Sequence, residues 1–147
     1  MKKLAATTAF SLIEITLALG IAAFCLLTVF ALVPIAVLAN RNATSQTAAT
    51  NIMAAVIADI RAAETTGSPS QQYGITFGTS KTLYFDGVGQ AMTLLGPNSR
   101  YRVSITFPLS PSGLSYSDIN TTWPAAAEPA TTTPSGSAEM FAAFKTN

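Results

Sequence analysis

Apolar residues are distributed in three regimes along the chain. Residues 10–39 read FSLIEITLALGIAAFCLLTVFALVPIAVLA, and the 25 residues from Ile15 to Ala39 carry no charge. At about 1.5 Å rise per residue those 25 make roughly 38 Å of helix, enough to cross a hydrocarbon core of about 30 Å with some tilt. A secretory signal has an apolar stretch of only about 7–15 residues before its cleavage site, so this pattern predicts a segment that stays in the membrane. From Asn40 to Thr66 the polarity rises while a helical period persists. Ile52, Val56 and Ile60 recur every four residues with Met53, Ile57 and Ala63 beside them, and Asn51, Asp59, Arg61 and Glu64 fall largely elsewhere. Gly67, Ser68 and Pro69 stop the pattern. One helix is therefore predicted from about Phe10 to Thr66, its first half in lipid and its second half amphipathic. Pro34 removes the hydrogen bond to the Phe30 carbonyl and predicts a break or bend.

The third regime begins after Pro69 and has the period of strands. YGITF (73–77) and TLYFD (82–86) flank GTSK and predict a hairpin. YRVSITF (101–107) alternates with period two and ends at Pro108, before a Ser/Pro/Gly loop running to Gly113. A weaker strand is predicted over 117–123, and the closing AEMFAAFK reads as an edge strand, with a short helix as the alternative. Residues 124–137, rich in Ala, Thr and Pro, predict an exposed, poorly ordered loop. The fold class is α+β, a small antiparallel sheet packing on the second half of the helix. Ile75, Phe77, Leu83, Phe85, Val103, Ile105 and Phe107 are the candidate partners of the stripe through Ile52, Val56 and Ile60.

Composition narrows the function classes. The chain has 147 residues, a net charge of +1 and only 10% charged residues, below the ~25% of average soluble domains. No basic face points to nucleic acid, and Arg100 and Arg102 read as a solvated face. Histidine is missing, which removes Ser-His-Asp and Cys-His catalysis and the commonest metal ligand. The single cysteine, Cys25, excludes an intrachain disulfide and reads as a small hydrophobe. Asp118, Glu128 and Glu139 are too far apart for an EF-hand-like calcium site. No cofactor and no metal site is expected. The triplets Asn42-Ala-Thr44 and Asn120-Thr-Thr122 match a glycosylation pattern that arises by chance in such a chain.

The informative residue is Glu14. A charge within an apolar span costs at least ~2.5–3.5 kcal/mol at bilayer depth and marks a functional candidate that needs a partner. Placed at headgroup level, the same carboxylate would instead favour the helix dipole by about 0.3–1 kcal/mol. Charge position alone leaves both readings open. Lys2 and Lys3 precede the span without any acid, which places the N-terminus on the cytoplasmic side.

The string AFSLIEITLALG, Ala9 to Gly20, resembles the N-terminal processing motif of type IV pilins and type II secretion pseudopilins. The resemblance covers about Lys2 to Ala39 and lies in the agreement of basic leader, Phe, Glu, apolar run and spacing. It implies a leader, residues 1–9, cut between Ala9 and Phe10 by a membrane prepilin peptidase that also methylates the new Phe10 amine. It implies that Glu14 pairs with the Phe10 amine of a neighbouring subunit, so Phe10 and Glu14 are the filament-assembly residues. Two departures stand out: Ala9 replaces the usual Gly before the cut, and Pro34 lies a few positions later than the family's usual proline.

The domain plan implied is a leader (1–9), a transmembrane and assembly helix (10–39), the amphipathic half of that helix (40–66) and a small β-rich region (67–147) with a Pro/Thr-rich loop at 124–137. The implied shape is the pilin-like lollipop. The implied function is a structural subunit of a type IV pilus or type II secretion pseudopilus, with no chemistry of its own. Without a disulfide or a calcium site it is more similar to minor or lineage-specific pseudopilins than to major fibre subunits. Its implied partners are the peptidase, other pilin or pseudopilin subunits and the bacterial inner membrane. That membrane is crossed once, with the C-terminal region periplasmic before assembly. The first alternative is a single-pass anchored binding or adhesion module that joins no filament. An enzyme domain on an anchor is the second, and the β-region carries no convergent acids, His or Cys to support it.

Overall fold

The computed structural model describes residues 10–64, 68–108, 114–128 and 130–145. The chain is α+β, with one long N-terminal helix and a five-stranded antiparallel sheet in its C-terminal part. The helix is α1 (Leu12–Glu64), and the strands are β1 (Lys81–Phe85), β2 (Ala91–Met92), β3 (Tyr101–Thr106), β4 (Leu114–Trp123) and β5 (Gly136–Lys145). Two units are distinguished, Met1–Arg41 and Asn42–Asn147. The predicted leader 1–9, the helix-stop residue Gly67 and most of the loop ending at Gly113 lie outside the described residues.

In the first unit every described residue is exposed. The break predicted at Pro34 is not an interruption of secondary structure, because Pro34 stands inside α1 and helix continues on both sides. Proline removes only its own N–H donor, and its neighbours keep theirs.

In the second unit α1 lies on the sheet through the predicted stripe. Ile52, Met53, Val56, Ile57, Ile60 and Ala63 are all buried. Opposite them sit Ile75, Leu83, Phe85, Val103 and Ile105 as predicted, joined by Tyr101, Ile119, Ala142 and Phe144, while Phe77 and Phe107 pack partly against the same core. Full burial of one such side chain contributes about 1.5–3 kcal/mol. The strand order is β2-β1-β3-β4-β5, with each neighbouring pair antiparallel. Period two then assigns faces: Tyr101, Val103 and Ile105 point to the helix, and Arg102 and Ser104 point away. At one end of the sheet Arg100 Nη2 donates to Ser45 Oγ (3.1 Å), and at the other Asp59 meets residues 72 and 73. Thus α1 and β1 run in opposite directions.

Three expectations are corrected. The hairpin across GTSK does not form, since residues 73–77 are not a strand. They belong to a closed loop in which Ser70 N donates to Ile75 O (2.9 Å), Gly74 N to Ser70 O (3.0 Å) and Ile75 N to Ser70 Oγ (2.8 Å). β1 turns instead into β2, because Asp86 Oδ1 accepts from both Val88 N (2.9 Å) and Gln90 N (2.8 Å). Gly89 takes φ 85° there, a left-handed value that suits glycine.

Asp59, expected off the packed face, is buried, and its carboxylate accepts from Gln72 N (3.1 Å) and Tyr73 N (2.9 Å). It ties the 70–75 loop to the helix. Burial pushes the Tyr73 phenol above its ordinary value, and the nearby Asp59 charge adds to that shift.

Arg102 is buried, not solvated. Its Nε donates to Ala125 O (3.1 Å), its guanidinium pairs with Glu128 and lies 5.7 Å from the Tyr84 ring centroid. The start of the 124–137 loop is therefore ordered: Ala125 and Ala127 are buried and Ala125 N donates to Arg100 O (2.9 Å). Residues 130–133 are exposed, as predicted for that part of the loop. The closing segment is β5, a strand at the sheet edge. Gly136 opens it opposite Trp123, and a Cβ on Gly136 would stand 2.3 Å from the indole ring.

Two outcomes follow for stability. Asp59→Ala strands two backbone donors and is expected to cost about 2–3 kcal/mol in denaturant unfolding of the full chain in detergent, with Asp59→Asn recovering part of it. Thr121 is fully buried and its hydroxyl has no hydrogen-bond partner among the described residues. Thr121→Val is therefore expected to raise the unfolding midpoint slightly, and a fall of more than 1 kcal/mol, on the usual scale of about 1–3 kcal/mol for a lost buried bond, would show that the hydroxyl is satisfied.

Candidate assembly site on the N-terminal helix

The described chain begins at Phe10, a residue 75% exposed and two positions before α1 starts. Ser11 closes the first turn, its carbonyl accepting from Glu14 N (3.0 Å) and Ile15 N (3.2 Å). Glu14 thereby sits in the first turn, where a negative charge faces the positive end of the helix dipole. It is the sole charged side chain from Phe10 to Asn40. Among the described residues it has no ion-pair partner; the pair Arg102–Glu128 belongs to the sheet.

Apart from Ser11 and Thr16, the residues around Glu14 are apolar. Leu12, Ile13, Ile15, Leu17 and Leu19 are exposed, and so are the large side chains onward to Leu38. By length and composition α1 suits a membrane anchor. Its hydroxyls are turned inward, with Thr16 Oγ1 donating to Ile13 O (3.0 Å) and Thr28 Oγ1 to Cys25 O (2.8 Å). Such back-bonding satisfies hydroxyl donors that lipid cannot. Gly20 lies open, since a Cβ built there meets nothing within 4 Å. Ala18 and Ala22 on one face, and Gly20 and Ala23 on another, are small positions where another helix can approach closely.

Of the predicted site residues, Phe10 and Glu14 are placed four apart, one before the helix and one in its first turn. Pro34 lies far from both in the chain, and Ala9 lies outside the described residues. The polar residues that sequence reasoning missed, Asp59 and Arg102, are fasteners of the β-unit. The sign was there for Arg102: strict alternation puts it on the outer face, next to an Ala-rich loop able to cover it. No group of three or more His, Cys, Asp or Glu side chains able to hold a metal ion occurs among the described residues.

No protein-family model, curated protein or solved structure matches this chain. The weight therefore rests on the chemistry of the helix. An uncovered apolar rod with a single carboxylate in its first turn can do one thing selectively: it can take a cation held at a fixed height by whatever covers the rod.

Proposed function

We propose that the chain is a structural, prepilin-like subunit of a type IV pilus or type II secretion pseudopilus. It is cleaved before Phe10 and methylated there by prepilin peptidase, then assembled through its N-terminal helix. The observation that carries this reading is Glu14, unpaired among the described residues, four positions after Phe10 and surrounded by exposed apolar side chains. In a bundle of such helices the Phe10 amine of one subunit supplies the cation that the Glu14 carboxylate of its neighbour lacks. Helix packing provides the adhesion, and the ion pair selects the axial stagger. Leaving either charge buried without the other costs about 3–5 kcal/mol, which is enough to reject other registers.

Before assembly, the subunit sits in the inner membrane with its N-terminus cytoplasmic and its β-unit periplasmic. Its partners are the peptidase and sibling subunits, and it has no catalytic role. The reading of a single-pass anchored binding module shares the membrane span but leaves Glu14 only its interaction with the helix dipole.

Two measurements test the proposal. Mass spectrometry of the N-terminal peptide from membrane fractions is expected to find a monomethylated Phe10 terminus, and a mature chain still beginning before Lys2 favours the anchored module. Glu14→Ala is expected to keep membrane insertion and lose incorporation into the filament; normal incorporation of that variant sinks the model.

A further inference from the structure

The face of the sheet turned away from α1 carries polar and aromatic groups that the packing of the β-unit does not use. Alternation places Tyr116, Asp118 and Asn120 of β4 and Glu139 and Phe141 of β5 on that face, because Ile119 and Met140 between them pack toward the helix. Asp118 stands directly opposite Phe141, and Asn120 opposite Glu139. Tyr116 and Phe141 are diagonal neighbours, as are Asp118 and Glu139, a spacing of about 7–8 Å that aromatic and long side chains span. Phe141 is 63% exposed and Tyr116 39%. Either ring alone would need no explanation, but together they flank a carboxylate.

The polar groups around the rings are short of donors. Asp118 Oδ1 and Asn120 Oδ1 are shut off from water and have no hydrogen-bond partner among the described residues. Thr122 Oγ1, next along the same face, shares that condition in a side chain only 4% exposed. Glu139 is exposed and forms no ion pair among the described residues. Among the described side chains the cation on this face is Arg102, already engaged by Ala125 O and Glu128. Lys145 stands four residues beyond Phe141, about 13 Å along the strand. Arg61 lines the β5 edge from the α1 side. Two carboxylates beside two exposed rings are thus left without a cation. An acceptor that has lost its water and found no donor is destabilising until a donor reaches it.

We infer that this face docks an arginine of a partner protein, its guanidinium lying over Phe141 and Tyr116 and donating to Asp118 and Glu139. A guanidinium supplies five donors in a planar fork, stacks on aromatic faces and binds a carboxylate through two parallel bonds. It therefore meets the rings and the acceptors together, whereas an ammonium brings a point charge with no plane to stack. The Asp118 carboxylate turns about χ2, a broad two-fold torsion, and so presents either oxygen. Small-molecule sites are concave and bury most of their ligand, but this face is open, so the arginine comes on a polypeptide that adds contacts around it. The site lies wholly in the β-unit and stands apart from the assembly role proposed for Phe10 and Glu14.

The test uses the full chain in deuterated nonionic detergent and the peptide acetyl-Gly-Arg-Gly-amide, with saturation-transfer NMR reading the bound peptide. The arginine peptide is expected to bind roughly tenfold more tightly than its neutral citrulline counterpart, and more tightly than the lysine one. Raising the salt from about 0.05 M to about 0.5 M is expected to weaken that binding. Phe141→Ala, Asp118→Asn and Glu139→Gln are each expected to weaken it about threefold, with thermal unfolding unchanged, and Asp86→Asn in the β1–β2 turn leaves it as it is. No saturable binding, equal binding of the arginine and citrulline peptides, or undiminished binding by Asp118→Asn/Glu139→Gln overturns the inference. Equal binding of the lysine peptide overturns the guanidinium assignment. Peptide binding that fades as the chain is concentrated, and returns in Arg61→Gln, overturns the separate partner and assigns the face to a second copy.

Discussion

The first half of α1 has an apolar surface that nothing else in its own unit covers, and the rest of the molecule's behaviour follows from that. From Leu12 to Leu38 the large side chains point outward all round the helix. Water is a poor environment for such a surface, so the covering has to come from lipid or from other helices. Lipid covers it without preference for height or rotation. Other helices can do so with a preference, provided something on the rod distinguishes one position from another. Glu14 is the one group on that rod able to do this by charge, and the small residues Ala18 and Ala22 on one face and Gly20 and Ala23 on another do it by shape. The β-unit has the opposite character, with its own closed core between α1 and the sheet.

Much of this fold was legible before any coordinates. The stripe Ile52, Val56 and Ile60 and the alternation through Tyr101–Phe107 are period signals backed by burial, and burial is what these two elements achieve. Legibility failed where a polar side chain overrode the period. YGITF has the composition of a strand, yet Ser70 closes a loop around it and Asp59 takes the amides of Gln72 and Tyr73. The Ser70 bonds span only four or five residues and the Asp59 bonds 13 and 14, and a strand pattern read on YGITF alone contains neither partner. Arg102 was misread for a related reason: an arginine next to strand residues is usually solvated, and its carbonyl and carboxylate partners stand 23 and 26 positions away. Phe10 and Glu14 stand out in the linear sequence by their spacing and by the lack of other charges, and the structure places one just before α1 and the other in its first turn.

The segment following β4 looks by composition like a linker of uniform freedom, and its ends contradict that. Pro124 to Glu128 is held by Arg102 and Arg100, Ser135 N bonds to Trp123 O (2.9 Å), and Gly136 is a steric seat for the Trp123 indole. Thr131 N and Thr132 N both return to Glu128 O. Among the described residues that leaves the exposed Thr133, between Thr132 and Pro134, where extra residues would disturb neither a backbone bond nor a packed ring. Chain length is thus free to vary at that tip, while the glycine and alanines on either side, which look interchangeable, are not.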